Sequence, residues 1–225
     1  MSDAREKSRI SMSELLRSFL DHITVTSPSL ESGADFVRQV LGVEPQLGGE
    51  HPRMGTHNLL LRLGESMFLE VISPNPKVDP PGRPRWFGLD DLRADTPPRL
   101  STWVARTTDI LAAAAACSEP LGNIEPMSRG KLDWLITIPA DGSIPADGVG
   151  PVLIEWSADD HPAATLHDHG LSLLELKIYH PDPDRIFRMI SSINLSARIS
   201  VSESLPGIAP HLVALIDTPN GVCRL

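Results

Sequence analysis

Hydrophobic and polar residues alternate with a period of two along Leu20-Asp-His22-Ile-Thr-Val25, Thr56 to Leu63, Met67 to Ile72 and Leu100 to Arg106. The same pattern returns over Asp133 to Ile138, Val152 to Trp156, Leu173 to Ile178 and Leu212 to Ile216. These runs are rich in β-branched residues and bounded by Pro, Gly, Asp and Asn, which predicts half-buried strands. Helical spacing replaces alternation between Ser29 and Leu41, where Phe36, Val37, Val40 and Leu41 share a face and Gly42 supplies the stop. A second helix is predicted from Asp109 to about Ser118, broken by Pro120 and Gly122, and a third from Asp182 to Ile193. Ser73 to Pro98 is rich in Pro and Arg and has no period, so it reads as a loop or lid in which Trp86-Phe87-Gly88-Leu89 docks on something.

Further strands are predicted at Val43 to Leu47 and Asn123 to Pro126, so the order βαβββ occurs twice. Leu20-Asp-His22-Ile-Thr-Val25 lies over Leu100-Ser-Thr102-Trp-Val-Ala105, and Phe68-Leu-Glu70-Val over Leu153-Ile-Glu155-Trp. Internal duplication accounts for this. The expected fold class is α+β, with tandem βαβββ modules and a partial third βαββ-like unit at the C-terminus. The expected divisions are an N-terminal extension (1–18), a first module (19–75), a loop or lid (76–98), a second module (99–160) and a C-terminal partial unit (161–225) packed on the modules.

Composition narrows the function classes. With 225 residues, 41% of them hydrophobic, the chain can bury a real core, and a net charge of −9 disfavours binding to nucleic acid. Two scattered cysteines, Cys117 and Cys223, provide neither a disulfide framework nor a thiolate metal site. No run approaches the ~18 apolar residues of a membrane span, and residues 1–11 lack the apolar core of a signal peptide, so a soluble cytoplasmic protein is expected.

Two strands each carry a metal-competent side chain, His22 and Glu70. His22 reads either as a buried strand histidine or as a ligand. Glu70, flanked by Phe68, Leu69, Val71 and Ile72, either faces solvent or sits inside, where it needs a cation or hydrogen-bond donors. Asn58 is disfavoured in a strand and asks for a hydrogen-bonding task, and His51 lies in an ordered loop suited to a cavity mouth. Arg83, Arg85 and Trp86 either close over an anionic or aromatic substrate or belong to a surface loop, and Trp103 and Trp134 read as cavity wall or core. His161, His167, Asp168 and His169 offer a second metal site or a solvated loop that continues from Asp159 and Asp160. No phosphate loop, dinucleotide fingerprint, nucleophile elbow or His-Glu-x-x-His is present.

Leu-Asp-His22-Ile, the helix ending in Leu41-Gly42, His51-Pro-Arg-Met-Gly-Thr56-His-Asn58-Leu, Leu63-Gly64 and Phe-Leu-Glu70-Val-Ile together resemble the glyoxalase-like branch of the vicinal oxygen chelate superfamily. The likeness continues through Trp103-Val-Ala-Arg106 and Pro151-Val-Leu-Ile-Glu155-Trp. It implies paired modules whose mixed sheet curls around a cavity, with metal ligands on the first and last strands of each module. Carried over, His22, Glu70 and Glu155 would be the ligands, and the fourth position falls on Thr102, a poor ligand. Their chemistry suits a divalent metal such as Zn, Mn, Fe, Mg or Ni.

The resemblance implies a lyase or dioxygenase-type enzyme whose metal chelates vicinal oxygens of a small substrate. Glu155 would move the proton, and His51, Asn58, Trp103 and Arg85 would bind the substrate. The alternative is a metal-free protein that binds or sequesters a small molecule, which Thr102 favours. Exposed strand edges leave a homodimer open.

Overall fold

In the first strand, β1 (Ser18–Thr26), Ile23 and Val25 pack on the helical side of a sheet, while His22 and Thr24 face the other way. This division organises the whole molecule. The computed structural model describes residues 17–157 and 161–225. The expected N-terminal extension, apart from Arg17 and Ser18, and the loop residues Asp159 and Asp160 lie outside the described residues.

Helix α1 (Leu30–Leu41) begins where the Ser29 hydroxyl accepts from the Ser32 amide, and ends at Gly42 with φ 72°. It leads to β2 (Gln46–His51), β3 (Thr56–Arg62) and β4 (Phe68–Pro74). The second unit repeats the order with β5 (Arg99–Thr107), α2 (Ile110–Ala116), β6 (Asn123–Arg129), β7 (Leu132–Ile138) and β8 (Pro151–Trp156). Eight strands form one curled mixed sheet in the order β2-β3-β4-β1-β5-β8-β7-β6. The units join through the antiparallel β1–β5 pair, and each closes with a parallel pair, β1–β4 and β5–β8. The α+β class and the doubled βαβββ frame are therefore as the sequence predicts.

The C-terminal unit runs through β9 (Ser172–His180), α3 (Pro183–Ser192), β10 (Leu195–Ser196), β11 (Ile199–Glu203), β12 (His211–Thr218) and β13 (Gly221–Arg224). Its four longer strands make a second sheet ordered β11-β9-β12-β13, and β10 pairs with the start of β1. The sequence reading misses β10, β11 and β13, which are short or carry few strong strand formers. Leu176, Ile178, Ile186, Met189 and Ile216 of this unit share a core with Ile23, Val71, Trp103 and Leu153 of the first sheet. Ile72, Val104, Ile136, Val152 and Ile154 form a separate cluster on the opposite, concave face. Both faces are thus covered, which is why several strands read as nearly continuous apolar runs. No helix among the described residues is long and apolar enough to cross a membrane.

Close packing of α1 on β4 depends on Gly33, where a Cβ would meet Val71 Cγ1 at 2.3 Å and Ser27 Cβ at 3.1 Å. Val71 is fully buried and β-branched, so it has little room to turn. Gly33→Ala is expected to destabilise the fold by about 1–3 kcal/mol, because overpacking outweighs the ~1 kcal/mol gained in helix propensity. Thermal or denaturant unfolding checks this, and an increased stability would contradict the packing argument.

Candidate active site in the concave face of the sheet

A small, narrow cavity opens on the concave face. Its polar lining is His22, His51, Asn58, Glu70 and Arg129. Phe68, Trp86, Phe87, Trp134 and Trp156 supply aromatic walls, and Ile136 and Ile154 complete them.

The polar set is wired together around a bulge. On β1, Leu20 pairs with Ala105 and His22 with Val104, so Asp21 is an extra residue in the ladder. In a regular strand, neighbours point to opposite faces; the bulge relaxes that rule and turns the Asp21 carboxylate beside its neighbour. Asp21 Oδ1 lies 2.6 Å from His22 Nδ1, while Oδ2 accepts from Trp156 Nε1 at 3.0 Å and lies 2.9 Å from His161 Nε2. The carboxylate is completely buried. Burial opposes its ionisation, but the hydrogen bonds and charges of His161 and His22 outweigh this and hold its pKa well below the ordinary aspartate value.

His22 is stacked on Phe68, with ring centroids 4.4 Å apart, and its Nε2 lies 3.8 Å from Glu70 Oε2. Glu70 is buried and doubly held: Asn58 Nδ2 donates to Oε1 at 2.6 Å and the Thr24 hydroxyl to Oε2 at 3.3 Å. On its other side Asn58 Oδ1 accepts from the Gly49 amide at 2.8 Å and from Arg129 Nη1 at 3.2 Å. Gly48 and Gly49 make this approach feasible. A Cβ at Gly48 would meet Asn58 Oδ1 at 2.2 Å, and one at Gly49 would meet Arg129 Cδ at 2.6 Å.

His51 is buried, with Nδ1 3.1 Å from the Thr56 hydroxyl and its ring edge-on to Trp86 and Trp134. Burial first, and then the charges of Arg129, His22 and His57, lower its pKa to about 3, so it is neutral at physiological pH. Above it, Trp86 and Phe87 are stacked at 5.3 Å, with Phe87 held at φ 61°. A non-glycine residue in this region costs of order 1–3 kcal/mol, which the loop's anchors must offset. These anchors are the bidentate pair of Arg83 with Glu125 and the bond from the Gly88 amide to the Gly142 carbonyl.

Of the residues singled out in the sequence, His22, Glu70, His51 and Asn58 come together in this cavity. Three others do not. Arg85 pairs with Asp90 and donates to the Gly55 carbonyl, stapling the loop instead of lining the cavity. Trp103 is fully buried in the helix-side core, with Nε1 donating to the Val149 carbonyl at 2.9 Å. Glu155 caps helix α2 by accepting from the Ile110 amide at 2.7 Å, while its neighbours Ile154 and Trp156 line the cavity.

Register explains the Glu155 displacement. Ile23 pairs with Trp103, flanked evenly by His22–Val104 and Thr24–Thr102, so a local two-fold axis relates the modules there. Thr102 does occupy the counterpart of His22. Glu70 pairs with Thr24, whose counterpart Val104 pairs with Val152, so Val152 is the counterpart of Glu70. The sequence alignment on Glu155 is displaced by three residues, an odd number, which moves a side chain to the opposite face.

The second module therefore presents Thr102 and Val152 where ligands would stand. Asn58 Oδ1 is already occupied by two donors, and the Arg129 guanidinium beside it opposes a second cation. Among the described residues, no group of three or more His, Cys, Asp or Glu is placed to hold a metal ion, the His161, His167, Asp168 and His169 cluster included. The donor set does not fit the four-ligand divalent centre that the resemblance implies.

Sequence reasoning passed over Asp21, Arg129, Trp156 and the role of His161. Asp21 directly precedes His22, but strand alternation hides the contact, and Arg129 sits in a hairpin where a lone cation reads as solvated. The Gly48-Gly49 pair beside an out-of-place Asn58 was the one available sign that side chains lie tightly there.

The fold has solved counterparts. A hypothetical protein from Staphylococcus aureus superposes with a TM-score of 0.60 at 12% identity, over 87% of this chain and 90% of that one. Two matches have lower TM-scores. A variant of methylmalonyl-CoA epimerase from Streptomyces coelicolor, in complex with 2-nitronate-propionyl-CoA, has a TM-score of 0.41 at 18% identity, over 64% of this chain and 99% of that one. A mutant of 4-hydroxymandelate synthase from the same organism has a TM-score of 0.40 at 15% identity, over 63% of this chain and 49% of that one. A search of curated protein sequences returned no match. The glyoxalase-like domain family matches residues 20–193, most of the doubled frame and the start of the C-terminal unit. On that match and the curled βαβββ sheet, the chain belongs to the glyoxalase-like domain family of the vicinal oxygen chelate superfamily.

Proposed function

We propose that the chain is an enzyme that moves a proton at a carbon next to a carbonyl group of a small substrate, with His22 as the base. The Asp21–His22 pair carries this reading. With Nδ1–H directed to an ionised, buried carboxylate, the imidazole presents its Nε2 lone pair beside Glu70 in the cavity. Asp21 acts as a positioning residue, itself held by Trp156 and His161.

In the step, Nε2 takes the proton, the C–H electron pair forms a carbon–carbon double bond, and the carbonyl π pair moves onto oxygen, forming an enolate. Returning the proton to carbon, from His22 or through Glu70, restores the carbonyl without oxidant or reductant. The fixed positive charge of Arg129 favours negative charge in this aromatic-walled space. Among the described residues, no Ser, Thr, Cys, Lys or Tyr lines the cavity, which favours acid–base over nucleophilic chemistry.

The metal-chelating lyase or dioxygenase reading is the weaker account, since among the described residues no cluster of three or more His, Cys, Asp or Glu is placed to hold an ion. A binding-only role is the other rival, since aromatic walls would hold a small ligand whether or not a proton moves.

Exchange of substrate C–H for solvent deuterium, followed by NMR over a panel of small carbonyl compounds, tests catalysis. His22→Gln is expected to lower exchange at least about a hundredfold, and Asp21→Asn to lower it through loss of the oriented tautomer. Ligand binding without exchange by the wild type would favour the binding-only role. For the metal, titration calorimetry with Mn, Fe, Zn, Mg and Ni is expected to show no micromolar binding, and chelator treatment no change in melting temperature. A tight, stoichiometric ion removed by His22→Ala would reverse that conclusion.

His51 gives a pH signature. Its folded pKa lies below the unfolded value, so its contribution to stability is complete above about pH 6.5 and is lost as pH falls toward about 3. The slope from this one group is at most ~1.4 kcal/mol per pH unit. His51→Gln is expected to flatten the stability profile between about pH 6.5 and 4, measured by denaturant unfolding at each pH.

A further inference from the structure

Arg129 stands apart from the other arginines. Arg53, Arg83, Arg85 and Arg185 each contact a carboxylate directly, and Arg106 and Arg62 lie 3.9 Å from one. Arg129 is the one half-buried arginine among the described residues with no carboxylate within ion-pair distance. It donates to Asn58 Oδ1 through Nη1, a single N–H of five. The side chain is only half-buried, so its remaining N–H groups stay open to the cavity and the adjoining groove, where an anion can replace water on them.

A buried donor on the wall of this cavity is also without a partner. The indole Nε1 of Trp86, a residue only 4% exposed, has no hydrogen-bond acceptor among the described residues. Trp86 and Arg129 line one space, and Arg129 also lines the adjoining groove beside Arg53. The acceptor-rich end lies elsewhere. Asn58 separates Arg129 from Glu70, giving its amide NH₂ to the carboxylate and its carbonyl oxygen to the guanidinium. One end of the cavity thus carries a guanidinium and the other holds the base.

We infer that Arg129 is the recognition site for a carboxylate group on the substrate, so that the class of molecule taken is a small, flat, apolar acid. The planar fork of Arg129 matches two carboxylate oxygens. The aromatic walls favour a flat apolar body. Anchored at Arg129, the molecule extends past Asn58 and brings its reacting carbon to the His22 and Glu70 end. This rests on the cavity being a small-molecule site, as proposed above, and adds the group by which its ligand is chosen.

The test is binding, read separately from catalysis. Acetate, phenylacetate and benzoate are each compared with the matching amide by calorimetry and thermal shift, with inorganic phosphate as a further probe. At least one aromatic carboxylate is expected to bind in the millimolar range or better and its amide roughly tenfold more weakly or not at all. Arg129→Lys, which keeps the charge and loses the fork, is expected to weaken that carboxylate by about tenfold. Equal binding of acid and amide, tighter binding of phosphate than of any carboxylate, or no carboxylate binding at all would overturn the inference. The comparison of acid with amide on the wild type needs no variant to fold. Loss of deuterium exchange with selective carboxylate binding intact would count against the proton-transfer reading alone, and exchange by a protein blind to carboxylates would count against this inference alone.

Discussion

A single buried carboxylate sets the terms for the concave face. Asp21 has no contact with solvent, and an ionised group in that position is tolerable only if its oxygens are satisfied. His22, Trp156 and His161 meet that demand from three different parts of the chain. The requirement therefore fixes the plane of His22, ties β8 and the segment after it to β1, and places an indole on the cavity wall. Removing the carboxylate would leave its three donors unmatched, so site geometry and local stability cannot be altered independently here.

Much of the frame was legible in the chain. Period-two runs separated by single helices identify the two βαβββ units because each strand has one face on the helices and one on the concave side. Strands β10, β11 and β13 were not, because pairing with neighbours, not their own composition, makes them strands. The site was half legible. His22, Glu70, His51 and Asn58 are conspicuous as polar residues in apolar surroundings, and burial makes that contrast meaningful. Glu155 looked equally conspicuous, but its neighbours alternate the other way, and a pattern match of Leu-x-Glu is blind to an odd shift in register.

Asp21 and Arg129 illustrate what one-dimensional reading cannot reach. The first acquires its role from a bulge, an irregularity in pairing between two strands distant in sequence. The second acquires its role from two glycines on another strand, whose missing side chains let Arg129 and Asn58 lie against the sheet. Both are properties of the space between segments, decided by what the opposite segment lacks.

The local two-fold axis through Ile23 and Trp103 has a consequence for stereochemistry. A cleft with equivalent halves would admit a small flat molecule in two orientations related by the axis, presenting both faces of a trigonal carbon to the chemistry. Here the half built on β5 and β8 carries Thr102 and Val152 opposite His22 and Glu70, so the frame is symmetric and its equipment is not. Under the proposed proton transfer, a ligand held by these polar residues would have one seat per chain, and a prochiral centre would meet His22 from one side only.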